Sequence, residues 1–352
     1  MSGGLDSSVA AALLKRAGFD VIGVFMKFWA ESDGIKKENS CCSLESEIRA
    51  RKVAKILKIP FYVFDFEKEF KKIVVDYFLK EYKAGKTPNP CIVCNKEIKF
   101  GVLLEKALSL GVDFIATGHY ARKKEIGENS RSNSCKLAIF KAKDKEKDQS
   151  YFLWQLNQKQ LKHILFPIGD YTRKEVEDLA RKFKLPVLKA KKSVEICFVQ
   201  KTISDFLKKY LKESPGKIVD KSGRVMGEHQ GLWFYTIGQR KSIGLPGGPY
   251  YVLEKDLKRN FLIVTKNEKD LLKKELICKN VNWISGKAPK LPLKIKAKIR
   301  YRINSARAEI IRRFKNGFYF LKFEKPQKSI TAGQSVVFYK GKEVLGGGII
   351  VK

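Results

Sequence analysis

The first eight residues of the chain have the composition of a phosphate-binding loop. Ser2-Gly3-Gly4-Leu5-Asp6-Ser7-Ser8 combines two glycines, which allow a sharp turn, with serine hydroxyls that donate hydrogen bonds. The apolar run 9–14 predicts a helix after the loop, and a helix amino terminus favours an anion. The Gly-Lys-Ser/Thr ending of a Walker A loop is missing, which excludes a motor-type or GTPase-type site. The alternative is a Gly-rich turn capped by serine.

Cys91 and Cys94 form a Cys-x-x-Cys pair that is preceded by two prolines, Pro88 and Pro90. A predicted helix with lysines in its first turns follows the pair. Both features lower the pKa of a cysteine and so increase the thiolate that a nucleophile or a metal ligand requires. The sequence holds no second Cys-x-x-Cys, which argues against a four-cysteine zinc site. Two cysteines that merely pack are the alternative.

The sequence around the other cysteines and around His119 gives weaker evidence for a chemical role. Cys197 lies in an apolar run, where a buried strand cysteine is a full alternative, and it gains interest only as a partner for Cys94. His119 follows Gly118 at a predicted strand end, where a ligand role and a structural role both fit. The adjacent pair at 41–42 is interpreted as structural or weakly functional, and the cysteines at 135 and 278 carry no argument.

Two polar clusters suit a nucleic acid. Lys147-Asp148-Gln149-Ser150 precedes an aromatic run and is either a capped turn or a binding site. Arg300-Tyr301-Arg302 places a stacking ring between two guanidinium groups, a pattern that suits RNA. A solvated charged strand is the alternative for the second cluster.

These residues require elements that bring them together. Residues 1–120 alternate between strand and helix patterns, which predicts an α/β fold with a parallel sheet. Strands are predicted at Val21–Met26, Ile59–Asp65 and Phe114–His119, and helices at Leu44–Leu57, Glu67–Lys83 and Glu97–Leu110. Ligands of such sheets bind beyond the carboxyl ends of the strands, where Met26 and Gly118 lie.

The remaining chain is predicted to form a loose loop at 123–136, a second α/β stretch with a strand at 137–140, and a helix capped by Thr172. After a short helix at 204–213, short strands and turn signals at 315–317, 340–342 and 346–348 predict a small β-barrel. The predicted division is 1–203 for the catalytic domain, 204–276 for a small middle domain and 277–352 for the barrel.

The amino-acid composition narrows the classes of partner that the protein could bind and the compartment in which it would work. Lys and Arg exceed Asp and Glu by 35 charges along the whole chain, which suits a polyanion, although a general lysine bias also explains part of the excess. The seven, unevenly spaced cysteines indicate a reducing compartment, and we expect a cytoplasmic protein. We expect no membrane partner, because no apolar run approaches the length of a membrane span.

The loop resembles the SGGxDS signature of the PP-loop ATP pyrophosphatases, and the chain as a whole resembles the bacterial-type tRNA-specific 2-thiouridylases. The resemblance runs along the chain through the following motifs: Ser2–Ser8, Val24–Lys27, 41–43, Asn89–Phe100, Ala116–Tyr120, Lys147–Leu153, 195–198, Tyr235–Lys241, Arg300–Arg302 and Leu345–Ile349. It implies a PP-loop (adenine nucleotide alpha hydrolase-like) domain, a small middle domain and a carboxyl-terminal β-barrel.

The resemblance also implies a reaction and a set of site residues. ATP with magnesium would adenylate O2 of the wobble uridine of tRNA, and a cysteine persulfide loaded by a cysteine desulfurase or relay protein would replace that oxygen. Cys94 and Cys197 match the two catalytic cysteines. The positions that match the ATP site are Ser2, Gly3, Gly4, Asp6, Ser7, Ser8, Met26 and Gly118. The positions that match the tRNA site are Asn89, Pro90, Cys91, His119, Lys147, Asp148, Gln149, Arg300, Tyr301 and Gln334.

One position departs from the family pattern. Cys91 stands where some members have an aspartate that is proposed as a base. Cys91, Cys94 and Cys197 could instead hold an iron–sulfur cluster, as in related tRNA thiolases. A PP-loop enzyme that acts on a small molecule and an RNA-binding protein without catalysis are further alternatives.

A phosphate loop of this kind should follow a β-strand, but only Met1 precedes it. We therefore expect a start site upstream of Met1, and weak ATP binding or poor solubility for a chain that starts there.

Overall fold

The structure, a computed structural model, describes residues 1–31, 43–126, 136–188 and 196–351. The cysteines at 41, 42 and 135 lie outside the described residues, as do 127–135 of the predicted loop and the first residue of the 195–198 motif. No helix in the described ranges is long and apolar enough to cross a membrane.

The amino-terminal part is an α/β domain. Its helices are α1 Leu5–Arg16, α2 Leu44–Leu57, α3 Glu67–Phe70, α4 Asp76–Lys83, α5 Pro90–Val93, α6 Leu103–Ser109, α7 Gln158–Lys162, α8 Arg173–Lys182 and α9 Ile203–Tyr210. Its strands are β1 Gly23–Lys27, β2 Phe61–Asp65, β3 Ile115–Ala116, β4 Ala121–Ile126, β5 Lys136–Lys141 and β6 Ile164–Leu165. The π-helical segments Lys71–Val75 and Cys94–Val102 join α3 to α4 and α5 to α6.

The predicted parallel pairing is confirmed, with one difference in extent. Among the described residues β1 pairs with β2 and β3 pairs with β6, as two separate parallel pairs rather than one continuous sheet. The amine of Met1 donates to the carbonyl of Val24. The phosphate loop therefore begins alongside β1, near the carboxyl ends of these strands.

The middle part is a small antiparallel and parallel sheet. Its strands are β7 Gly216–Val219, β8 Val225–His229, β9 Tyr251–Asp256 and β10 Phe261–Thr265, in the order β8-β7-β10-β9. Ile218, Val252 and Leu262 are fully buried at its centre because alternate strand residues point to one face.

The carboxyl-terminal part is a closed six-stranded barrel, as the turn signals predict. Its strands are β11 Leu272–Trp283, β12 Leu293–Lys298, β13 Ala306–Arg313, β14 Tyr319–Lys328, β15 Ser335–Lys340 and β16 Glu343–Ile350. The order is β11-β14-β13-β12-β15-β16, and β16 pairs back to β11, which leaves no free edge between them. The hairpin of β4 and β5 extends the same sheet through β16, so the catalytic domain is hydrogen-bonded to the barrel.

Three local predictions were wrong. Residues 123–126 of the predicted loop belong to β4 and Lys136 begins β5, because the two strands pair along their whole length. The turn predicted at 346–348 lies inside β16: a Cβ on Gly347 would come 2.8 Å from the ring of Trp154, so these glycines allow close packing rather than a turn. The Cys-x-x-Cys pair does not precede its helix, since Cys91 lies in α5 and Cys94 begins the π-helical segment that follows.

Thr87 connects the three parts of the molecule directly before the Cys-x-x-Cys segment. Its N–H donates to the carbonyl of Ala332 over 2.9 Å, and its carbonyl accepts from Nε2 of Gln334 over 3.0 Å, both in the barrel. Its hydroxyl lies 3.3 Å from the hydroxyl of Thr236 in the middle domain. We call α5 with the directly following Cys94 the cysteine helix. Its position therefore depends on contacts with both other domains.

We predict that Gln334→Leu lowers the free energy of unfolding by about 1 kcal/mol, because the Thr87 carbonyl loses its side-chain donor. Chemical denaturation measures the change. Gln327→Leu is the matched control on the same barrel, since Gln327 bonds only to the neighbouring carbonyls of Lys325 and Pro326. An equal loss in both variants would show that the junction does not depend on Gln334.

Candidate active site

The phosphate loop leaves the amino terminus of α1 without a side-chain cap. Gly4 is the N-cap residue, and no side chain bonds the first N–H groups of the helix. By contrast α2, α8 and α9 are capped by Ser43, Thr172 and Thr202. Uncapped N–H groups and the positive end of the helix dipole together form an anion site.

The serines of the loop fold it back on itself. Ser7 Oγ accepts from the N–H of Ser2 over 3.1 Å and lies 3.2 Å from the hydroxyl of that residue. Ser8 Oγ donates to the carbonyl of Gly4 over 2.8 Å. These bonds hold the turn in the shape of a cradle without using the N–H groups of the α1 amino terminus.

The loop rests on the first turn of α2. Gly3 has a φ of 68°, and a Cβ there would lie 2.1 Å from the carbonyl oxygen of Ser46. Arg49 donates from Nε to the carbonyl of Gly3 and from Nη2 to the hydroxyl of Ser46, over 3.3 and 2.9 Å. Position 3 therefore requires glycine for two reasons, its backbone angle and its contact with α2.

The carboxylate of Asp6, in the first turn of α1, is held by side chains from two other segments of the chain. Its Oδ1 accepts from the hydroxyl of Tyr120 and from Nη1 of Arg173, each over 2.9 Å. Burial raises the pKa of Asp6, and the charge of Arg173 opposes that rise. Arg173 is fixed in turn by Glu177, which accepts from its Nε over 2.8 Å.

The turn that contains Lys147, Asp148 and Gln149 lies against this network. Gln149 exchanges hydrogen bonds with the backbone of Tyr120, over 2.8 and 3.0 Å. Asp148 is buried and accepts from the N–H of Ala142 and from the N–H and hydroxyl of Ser150. Because both side chains are used inside the fold, their predicted contact with tRNA stays a prediction.

Gly118 forms the other wall of the cradle. A Cβ at this position would lie 2.6 Å from the N atom of Ser7 and 2.7 Å from the carbonyl carbon of Asp6. Met26 is the penultimate residue of β1, and its side chain packs against the core of the domain. Gly118 is therefore in contact with the loop, whereas the predicted part of Met26 in the nucleotide site stays a prediction.

The two predicted catalytic cysteines share one hydrophobic cluster. Cys94 is buried in it, and Cys197 packs against it from the segment that follows residue 195. Phe198 anchors that segment, with its ring 5.3 Å from the ring of Phe78. Cys91 is half-buried one turn before Cys94. No disulfide joins the cysteines in the described ranges.

His119 is a buried, neutral imidazole. Its Nδ1 lies 2.8 Å from the hydroxyl of Thr117, and the rings of Phe100 and Phe166 lie 6.0 and 6.2 Å away. Burial lowers its pKa well below the ordinary value, and the charge of Lys99 acts in the same direction. A neutral ring can donate or accept a hydrogen bond but does not supply a charge to a phosphate.

The predicted tRNA residues Arg300 and Tyr301 contact the barrel and the segment around Phe152. Asn89 occupies the N-cap position of α5, although its side chain makes no cap bond. It hydrogen-bonds Tyr151, whose hydroxyl donates to the carbonyl of Ser335. The ring of Tyr301 lies 4.5 Å from that of Phe152. Arg300 donates from Nη2 to the carbonyl of Lys328 over 2.5 Å, and its buried Nε has no partner.

Comparison with known proteins matches all three parts. Residues 1–201 match the model described as tRNA methyl transferase HUP domain, 204–266 the tRNA methyl transferase PRC-barrel domain, and 273–350 the Aminomethyltransferase beta-barrel domain. The chain is 48% identical to tRNA-specific 2-thiouridylase MnmA 2 of Thermoanaerobacter sp. (strain X514), over 99% of this chain and 96% of that protein.

The chain belongs to the family of tRNA-specific 2-thiouridylases. The enzyme of that name from Moorella thermoacetica is 47% identical over 99% of this chain and 98% of its own length. The one from Clostridium perfringens (strain ATCC 13124) is 45% identical over 99% and 96%. The family assignment made from the motifs is therefore confirmed.

Sequence reasoning missed several residues that shape this family's site here. Arg173 and Tyr120 hold Asp6, Arg49 holds the loop, and Thr87 positions the cysteine helix. The Thr172 cap correctly predicted the start of α8, but no spacing connects Arg173 with a loop 167 positions earlier. Only the fold brings them together.

We predict that Gly3→Ala lowers the free energy of unfolding by at least about 2 kcal/mol, because alanine disfavours the positive φ and its Cβ would clash with Ser46. Gly4→Ala is the matched control: Gly4 has a φ of −91°, and a Cβ there meets only Ser2 Oγ at 3.5 Å. We expect a loss within about 1 kcal/mol for that control. Equal losses in thermal or chemical unfolding would contradict this reading of the loop.

Proposed function

We propose that this chain catalyses the ATP-dependent 2-thiolation of the wobble uridine of tRNA in the cytoplasm. The uncapped helix of the phosphate loop and two cysteines in one cluster carry the proposal. Family membership over the whole chain supports it. The descriptions of the family models mention methyl transfer, whereas the relatives that match along the whole chain are named as 2-thiouridylases.

The first step activates the uridine. O2 of the base attacks the α-phosphorus of ATP, which forms an O2–adenylate and releases pyrophosphate. The loop N–H groups would bind the phosphates and stabilise the departing pyrophosphate. Magnesium would enter as the ATP complex. The described residues include no group of three His, Cys, Asp or Glu side chains that could hold a metal, so no step is assigned to a resident ion.

The second step replaces the oxygen. A persulfide on Cys197, loaded by a protein sulfur donor, attacks C2 of the base through its terminal sulfur, and AMP leaves with the original oxygen. The Cys94 thiolate then attacks the Cys197 sulfur. This forms a Cys94–Cys197 disulfide and leaves the terminal sulfur on C2 as the 2-thio product. An external thiol must reduce the disulfide before the next turnover.

The tRNA would contact the positively charged surface of the catalytic domain and the barrel, with the uridine turned out of its stack toward Cys197. The proposed tRNA residues stay Asn89, Pro90, Cys91, His119, Lys147, Asp148, Gln149, Arg300, Tyr301 and Gln334. We also keep 1–203, 204–276 and 277–352 as the proposed division of the chain.

We predict that Cys197→Ser abolishes 2-thiouridine in tRNA, because no persulfide can form, while tRNA-dependent adenylation continues. Mass spectrometry of tRNA nucleosides measures the first effect, and pyrophosphate release measures the second. Cys278→Ser is the control, since that cysteine is buried in the barrel and burial raises the pKa of its thiol. Thiolation by the Cys197→Ser variant would refute the proposal.

An iron–sulfur cluster on Cys91, Cys94 and Cys197 is a second candidate mechanism, favoured by the Cys-x-x-Cys placed one helical turn apart. In the arrangement described, these cysteines do not form a metal-binding group. Anaerobic purification with assays for iron and sulfide distinguishes the two mechanisms. Iron and sulfide in the wild type but not in Cys91→Ser would replace the persulfide scheme, and their absence after reconstitution would remove the cluster.

A further inference from the structure

We propose that Arg173 is a positioning residue for ATP: by binding Asp6, it keeps that carboxylate away from the open amino terminus of α1. The inference rests on the proposed function only in taking ATP as the ligand of the loop. Arg173 lies outside the loop motif and opens α8, in a different segment of the domain.

The first step concerns where the charge of Asp6 would go if it were released. Asp6 lies in the first turn of a helix whose N–H groups no side chain caps. A carboxylate in that position ordinarily turns back to accept from those N–H groups, as N-cap and first-turn acids do. Asp6 would then occupy the donors that the phosphates of ATP require, and its charge would repel them.

The second step concerns what prevents this. Tyr120 and Arg173 both donate to the same oxygen, Oδ1, each over 2.9 Å. Tyr120 is almost fully buried, so its hydroxyl is a fixed donor. Of the two donors only Arg173 carries a charge that offsets the carboxylate.

The third step concerns how Arg173 itself is held. Its Nε donates to Glu177 over 2.8 Å, and its backbone N–H donates to Asp144 over 2.9 Å. Asp144 also accepts from the N–H of Lys147. Asp144 therefore fixes the backbone of Arg173 beside the turn of the Lys147-Asp148-Gln149 motif, and Glu177 orients its guanidinium.

The solvent exposure of the Arg173–Asp6 ion pair argues for a positioning role rather than a contribution to stability. The side chains of Arg173 and Asp6 are 32% and 36% exposed. Ion pairs that are this exposed to solvent contribute little to the stability of a fold. The ion pair therefore matters more for the position of the Asp6 carboxylate than for the stability of the fold.

The test measures the dissociation constant of MgATP by calorimetry for the full-length protein, with thermal unfolding measured in parallel. We expect Arg173→Gln to weaken binding about tenfold, the effect of one lost charge-assisted hydrogen bond. Arg173→Lys should recover most of the affinity. Arg181→Gln is the matched control, because Arg181 lies on the same helix and pairs only locally with Asp178.

A double-mutant cycle then separates positioning from direct contact. In an Asp6→Asn background we expect Arg173→Gln to weaken binding less than about twofold, because no charge remains to be held. An unchanged tenfold loss in that background would mean a direct contact between Arg173 and phosphate, which overturns the proposal. If Asp6→Asn abolishes binding, a cycle of Tyr120→Phe with Arg173→Gln replaces that arm: a loss in the double variant greater than the sum of the single losses supports a shared hold on Asp6, and additive losses overturn the proposal.

The possible outcomes distinguish a failure of this inference from a failure of the proposed function. Wild-type protein that binds no ATP would refute the function itself. Wild-type protein that binds ATP as tightly as Arg173→Gln does would refute only the role of Arg173. A lower unfolding temperature with unchanged ATP affinity would assign Arg173 a structural role and also refute the inference.

Discussion

The organisation of the site depends on the close packing of the phosphate loop between two backbone segments, the first turn of α2 and the segment at Gly118. On one side Gly3 lies against the carbonyl of Ser46, and on the other Gly118 lies against Ser7 and Asp6. At each contact even a methyl group would overlap backbone atoms. The loop is therefore positioned by backbone-to-backbone contact, which is stiffer than contact through flexible side chains.

Asp6 connects that loop with the rest of the catalytic domain. Through Tyr120 it is linked to Gln149, and through Arg173 to Asp144, so the turn at 144–149 and the start of α8 form one polar network under the nucleotide site. This network explains why a motif that reads as a tRNA contact in the sequence, Lys147-Asp148-Gln149, uses two of its side chains inside the fold.

The cysteine helix depends on the assembly of all three parts. Its approach runs through Thr87, which is bonded to the barrel and lies beside the middle domain, and Asn89 bonds Tyr151 before the helix begins. A tRNA that binds across the barrel and the catalytic domain would therefore contact the same elements that position Cys94. The position of Cys94 relative to the barrel therefore depends on these junctions as well as on the cysteine segment itself.

The sequence by itself determined the family, the order of the three parts and the bounds of single elements such as α2, because these follow from local patterns. The loop motif, the 3.6-residue periodicity of α2 and the serine and threonine caps are all readable within a few neighbouring residues. The tertiary structure alone decided which side chains hold the loop and which are free to meet a substrate. Arg173, Tyr120 and Thr87 act across 114 to 247 positions of chain, and Gly347 of β16 packs against Trp154. Contacts of that range depend on how the elements pack, which no local pattern encodes.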